Sequence, residues 1–132
     1  MSDGVWSKIR IMLIDDNPTF LRVATDFLRR YDDLSVVGAV GGGEEALAQL
    51  LDVEPHVVLL DLAMPGLSGL ETIPRLRALM PHLGIVILTM LDDDTYRRAV
   101  LAAGADDYVR KASMYTDLLP AIRQAVSTVF SI

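Results

Sequence analysis

No cysteine occurs anywhere in the 132 residues. Disulfide staples, thiolate metal sites and a cysteine nucleophile are therefore excluded, and the absence suits a reducing compartment. Long hydrophobic runs are missing too, since every apolar stretch is broken by Asp, Pro or Gly well short of membrane-spanning length. The opening "MSDGVWSKIR" is polar and lacks the basic start and apolar core of a secretory signal. Together these features lead us to expect a cytoplasmic protein with no membrane partner. Basic residues are scattered, and the formal net charge is −6. Nucleic acid is accordingly not expected to bind this chain by itself. The acidity better suits a site that wants a cation. Low-complexity tracts and internal repeats are lacking as well.

What remains is the composition of an ordinary globule, 52% hydrophobic, 6% aromatic and 23% charged. A domain of this length buries roughly two thirds of its unfolded surface, enough for one sizeable core. Short runs dense in β-branched and aliphatic residues predict strands at Ile9–Ile14, Val36–Val40, Val57–Leu60, Ile85–Thr89 and Tyr108–Val109. A helical pattern follows each of them. In the first helix Phe20, Leu21, Ala24, Phe27 and Leu28 form an apolar stripe, leaving Arg22, Asp26 and Arg29 to water. Asn17 suits its cap and Pro18 its first turn. Four more helices are predicted near Glu44–Asp52, Leu70–Met80, Asp94–Ala103 and Tyr115–Val129, with Gly104 as a stop for the fourth. Pro74 and Pro120 fall inside two of them, so kinked or shifted first turns are expected there.

Strands that are apolar on both faces and alternate with helices imply an α/β fold, a parallel sheet covered on both sides. Ligands of such folds collect at the carboxyl ends of the strands, where the winding reverses. Asp15 and Asp16 close the first strand, Asp61 the third and Thr89 the fourth, while Lys111 follows the fifth. Three carboxylates at close range disfavour one another's ionisation unless a counter-charge is present. Magnesium, which takes oxygen ligands and is commonly held by one or two carboxylates together with a phosphate, relieves this. The Lys111 ammonium adds a point charge suited to a phosphoryl oxygen. A carboxylate beside both is suited to forming an aspartyl phosphate. Asp61 fits that role, alone at its strand end and followed by the Pro and Gly loop "LAMPGLSG"; Asp15 and Asp16 then hold the cation.

At this point the chain resembles the receiver domain of bacterial two-component response regulators. The acidic pair in "LIDDN", the acceptor in "VVLLDLAMPGLSGLE", the hydroxyl in "VILTM" and the lysine in "GADDYVRKAS" stand in the family's order. The likeness runs over residues 8–129, with no second domain in this chain. It implies a flavodoxin-like (βα)5 doubly wound sheet with strand order 2-1-3-4-5. It further implies that Asp61 accepts a phosphoryl group from a histidine kinase or phosphotransfer protein. By the same resemblance, magnesium is expected to be held by Asp15, Asp16, Asp61 and the backbone carbonyl of Ala63, with Asp16 and Asp61 as direct ligands. The resemblance also implies that Thr89 and Lys111 contact the phosphoryl oxygens and that Tyr108 is the aromatic switch that follows Thr89. Met90, "DLAMPGLSGLET" and "KAS" are similar to the NarL/LuxR branch, whose receivers precede a helix-turn-helix DNA-binding domain absent from this chain. A homodimer through the fourth helix, fifth strand and fifth helix, or through the first and fifth helices, is a separate hypothesis about its surface.

Each residue also has a plainer reading. Asp15 and Asp16 suit a helix start, Thr89 is an ordinary strand residue, Lys111 a solvated charge, and Tyr108 a half-buried ring with its hydroxyl in water. Five such residues converging on one edge favour the phosphoacceptor reading. His56 and His82 precede strands on the opposite edge and receive no chemical role. Two departures from the family pattern stand out. Ala112 follows Lys111 where proline is common, so the peptide there is expected to be trans or strained. Met90 replaces a small residue, and its bulk is expected to narrow access to the site. These departures keep open a pseudo-receiver that binds a partner without phosphorylation. A magnesium-dependent hydrolase is disfavoured by the short loops, and a flavin or nucleotide binder by the acidic first loop.

Overall fold

The computed structural model describes residues 8–64 and 66–127. Five strands, β1 (Ile9–Ile14), β2 (Leu34–Val40), β3 (Val57–Leu60), β4 (Gly84–Thr89) and β5 (Asp107–Arg110), form one parallel sheet in the order β2-β1-β3-β4-β5. Between and after them run α1 (Pro18–Leu28), α2 (Gly43–Val53), α3 (Gly69–Leu79), α4 (Asp94–Ala103) and α5 (Met114–Ala125). The anticipated flavodoxin-like order is thus the observed one.

Period-two alternation divides the strands' side chains between two cores. Ile9, Ile11 and Leu13 of β1, Val57 and Leu59 of β3, Val86 and Leu88 of β4 and Val109 of β5 pack with Ala24, Phe27 and Leu28 of α1 and Leu118, Ala121 and Ile122 of α5. Met12, Ile14, Val58, Leu60, Ile85, Ile87 and Tyr108 pack instead with Ala46 and Leu50 of α2, Ile73 and Leu76 of α3 and Val100 of α4. A strand must be apolar on both sides to serve two cores, which is why β1, β3 and β4 read as nearly unbroken hydrophobic runs.

Caps fix where the helices begin and end. Asn17 Oδ1 accepts the Phe20 N–H at 3.1 Å, and Pro18 occupies the first turn, as anticipated. Ser68 and Glu71 form a reciprocal capping box on α3. Gly104, at φ 118°, ends α4 in the left-handed conformation that glycine adopts without steric cost. Neither proline interrupts its helix: α3 and α5 run unbroken through Pro74 and Pro120. The carbonyls that lose a backbone donor, those of Leu70 and Thr116, belong to exposed residues that water can serve. The end of the anticipated fifth helix, residues 128 and 129, lies outside the described residues. Among those residues no helix is long and apolar enough to cross a membrane.

Candidate functional site

The order β2-β1-β3 places the reversal of winding between β1 and β3, and the carboxyl ends of both strands carry aspartates. The ladder is carried one residue past each strand, with the Asp15 N–H donating to the Val40 carbonyl at 3.0 Å and the Asp61 N–H to the Ile14 carbonyl at 2.9 Å. Asp15 and Asp61 are thereby held as firmly as the strands themselves. Both are buried, at 3% and 6% exposure, while Asp16 faces solvent. One carboxylate oxygen from each of the three lies within 4.8 Å of the others.

Charge and hydrogen bonds give each carboxylate a different setting. Asp15 Oδ1 accepts the Asn17 N–H at 2.9 Å. Its Oδ2 is fully buried, meets no aligned hydrogen-bond donor among the described residues, and is held by the charge of the Lys111 ammonium, whose Nζ lies 2.6 Å away. Asp61 Oδ1 accepts the Leu62 N–H at 2.9 Å. Burial, and after it the Asp15 charge, pushes the Asp61 carboxyl above its ordinary pKa; Lys111, the Thr89 hydroxyl and the Leu62 N–H pull the other way. Thr89 is fully buried, and its Oγ1 accepts the Leu91 N–H at 3.3 Å.

The donor set suits a hard divalent cation. Three carboxylates, one of them exposed and one with a buried oxygen short of a hydrogen-bond partner, match the oxygen-only and partly hydrated shell that magnesium prefers. Ala63 stands two residues after Asp61 in an exposed position of the following loop. That loop is fixed from two sides. The Leu67 N–H donates to Glu44 Oε1 of α2 at 3.3 Å, and Gly69 begins α3 so close to β3 that a Cβ there would sit 2.5 Å from the Asp61 carbonyl oxygen.

The remaining anticipated residues divide. Tyr108 is buried rather than half-buried, and its hydroxyl donates to the Leu91 carbonyl at 2.7 Å instead of to water. The ring therefore ties β5 to the loop that follows Thr89, with the Arg97 guanidinium 5.2 Å from its centroid. Met90 is 76% exposed, so its bulk points to solvent instead of narrowing the site. The peptide between Lys111 and Ala112 is trans and opens a short 3-10 turn, Lys111–Ser113. His56 and His82 lie on the opposite edge of the sheet, beside an apolar cavity of about 240 Å³ that offers no carboxylate.

One residue at the site was read only as core. Phe20, on the first turn of α1, places its ring centroid 4.0 Å from the Lys111 Nζ. Its sequence spacing matches that of the buried stripe, and only its place three residues after the Asn17 cap hints at a position beside the acidic pair.

Comparison with known proteins agrees with this geometry. Residues 11–123 match the sequence model of the response regulator receiver domain. The chain is 35% identical over 115 residues to response regulator GacA of Pseudomonas protegens, covering 87% of this chain and 54% of that protein. It is 34% identical over 117 residues to nitrate/nitrite response regulator protein NarL of Escherichia coli K12, covering 89% of this chain and 54% of that protein. It thus spans about half the length of these curated relatives. Among solved structures, a LuxR-family two-component response regulator from Aurantimonas sp. SI85-9A1 superposes with a TM-score of 0.87 at 30% identity, over 92% of this chain and 87% of that one. The response regulator domain of Thermotoga maritima CheB gives 0.85 at 26% identity, over 91% and 97%.

Proposed function

The chain belongs to the response regulator receiver domain family of two-component systems, in its NarL/LuxR branch, and from that membership we propose that Asp61 is its phosphoacceptor. The observation that carries the reading is the meeting of three carboxylates, the Lys111 ammonium and the Thr89 hydroxyl at the switch point of the sheet. Phosphoryl transfer asks a protein for alignment and charge neutralisation more than for covalent chemistry. Asp61 supplies the nucleophile. With Oδ1 held by the Leu62 N–H, Oδ2 is the oxygen left to attack the donor. A new O–P bond forms to it as the P–N bond of a kinase phosphohistidine breaks, and the leaving imidazole takes up a proton.

Asp15, Asp16, Asp61 and the Ala63 carbonyl would hold magnesium, with Asp16 and Asp61 as direct ligands, and the ion would supply charge neutralisation for the phosphoryl oxygens. Lys111 and the Thr89 hydroxyl hold those oxygens from the protein side. When Thr89 engages them, the loop running to Leu91 favours one arrangement, and the Tyr108 tether carries that preference to β5 and the neighbouring face of α4. Signalling domains of this kind are not classical enzymes; the chain assists its own phosphorylation and slowly loses the group by hydrolysis. The receiver unit spans residues 8–129. Its partners are a histidine kinase or phosphotransfer protein and an output of the NarL/LuxR kind, in the cytoplasm, with a homodimer through α4, β5 and α5 or through α1 and α5.

Intact mass after incubation with magnesium and acetyl phosphate tests the acceptor. One phosphoryl adduct on the wild type, absent from Asp61→Asn and from a magnesium-free control, is the expected result. A folded wild type that takes no adduct, binds no fluoroberyllate and accepts nothing from a kinase would move the chain to the pseudo-receiver class.

A further inference from the structure

The Lys111 ammonium sits between two groups that the reading above does not connect. On one side is Asp15 Oδ2, 2.6 Å away, and on the other the face of Phe20, with its centroid 4.0 Å away. Both side chains of the ion pair are nearly excluded from water, at 9% and 5% exposure for Lys111 and Asp15. An ammonium over an aromatic face is attracted by the ring quadrupole, and the attraction grows as water is removed.

Local hydrogen bonds aim the ring. The Asn17 N–H donates to Asp15 Oδ1 at 2.9 Å, and the Phe20 N–H donates to Asn17 Oδ1 at 3.1 Å. The carboxylate that holds the lysine and the ring that covers it are thus set by one short stretch of backbone. Pro18 in the first turn of α1 stiffens that stretch further.

We infer that Phe20 is a positioning residue that holds Lys111 against Asp15, making the lysine a stand-in cation that magnesium must displace from the acidic trio. The inference rests on the proposed magnesium site. Asp15 Oδ2 has no aligned hydrogen-bond donor among the described residues, so the lysine charge serves a buried oxygen of a carboxylate that belongs to the acidic trio. Whether an arriving ion meets that oxygen directly or through a water, it meets a positive charge already in place. Stabilising the lysine there weakens magnesium binding, and loosening it strengthens magnesium binding. Once displaced, the same ammonium is free to reach a phosphoryl oxygen on Asp61. Phe20 therefore sets how much magnesium the site needs before it is ready to react.

The test is a double-mutant cycle on magnesium affinity, measured by calorimetry on the unphosphorylated protein. Phe20→Leu keeps an apolar side chain but removes the quadrupole, and it is expected to lower the magnesium Kd about 3- to 10-fold. Phe20→Tyr, which keeps the face, is expected to stay within about twofold of wild type. In a Lys111→Met background Phe20→Leu is expected to have no further effect. Proton NMR of the metal-free protein gives a second readout, with the Lys111 ε-methylene protons shifted upfield by the ring in wild type and released in Phe20→Leu. An unchanged or higher Kd in Phe20→Leu overturns the inference, as does a change of equal size in the Lys111→Met background, which would mark a purely structural role. A wild type that binds no magnesium would instead overturn the reading of the site, and this inference with it.

Discussion

Single side chains decide more here than their types suggest. His56 is an example on the edge opposite the carboxylates. Its Nδ1 accepts the Arg10 N–H at 2.9 Å, so the neutral ring carries its proton on Nε2, and a second proton at Nδ1 would face a donor with a donor. Burial, then the Arg10 charge, lowers its pKa from the usual value. A histidine with a lowered folded pKa binds fewer protons folded than unfolded, so stability rises with pH through the window below 6.5 and is lost as pH falls through it. Urea midpoints at pH 7.5 and pH 5 are expected to differ more in wild type than in His56→Gln; equal differences would show that another group carries the dependence. Gly69 is decisive for a steric reason. A Cβ there would meet the Asp61 carbonyl oxygen at 2.5 Å and the Leu62 Cα at 2.7 Å, both backbone atoms that cannot turn aside. Gly69→Ala is expected to cost about 1 to 3 kcal/mol in urea unfolding and to lower the yield of phosphoryl adduct, because α3 must move off the strand that carries Asp61.

Elements were legible in the sequence wherever both faces of a strand had to be apolar, which is why β1 and β3 fall within the anticipated bounds. β5 extends to Asp107 and Arg110 on either side of the anticipated pair, because ladder pairing with Val86 and Thr89 of β4 continues into polar residues that hydropathy cannot mark. The five polar residues of the candidate site, Asp15, Asp16, Asp61, Thr89 and Lys111, were legible for a related reason: a charge or hydroxyl at the end of an apolar run is conspicuous. Contacts to backbone were not, since a carbonyl leaves no trace in sequence. The Tyr108 hydroxyl finds the Leu91 carbonyl, and Arg77, which reads as a solvated helix charge, donates to the carbonyls of Pro81, Leu83 and Gly104 and to Asp106 Oδ2. Asp106 Oδ2 in turn accepts the Ile85 N–H at 2.7 Å. Arg77 thereby joins α3, the turn into β4 and the turn into β5 at the edge away from the carboxylates. Arg77→Met is expected to lower unfolding stability by about 1.5 to 3 kcal/mol, the scale of hydrogen bonds from a charged donor. Acetyl phosphate should still label the folded variant; loss of labelling would mean that the two edges of the sheet are coupled.

At the scale of the whole molecule the buried Asp61 charge is expected to work against folding unless a cation joins it. Burial raises the Asp61 pKa, and the Asp15 charge raises it further, so the folded chain holds that proton more firmly than the unfolded chain does. For a carboxyl raised in this way, stability falls as pH climbs from the ordinary value of 3.8 through the raised one, and above that window the metal-free protein carries the full deficit. Asp61→Asn removes the buried charge, and at pH 7.5 in EDTA it is expected to melt at a higher temperature than wild type. A ligand that binds only the folded state adds stability in proportion to the logarithm of its concentration over Kd, about 2.7 kcal/mol at a hundredfold excess. Magnesium is therefore expected to raise the wild-type melting temperature and to raise that of Asp61→Asn or Asp16→Ala much less. The order of the two proteins is then expected to narrow or reverse between EDTA and magnesium. Melting curves for wild type and Asp61→Asn in both buffers check this directly. Equal magnesium shifts in the two proteins would place the ion outside the acidic trio, and a wild type more stable than Asp61→Asn in EDTA would show that Lys111 already neutralises the site without a metal.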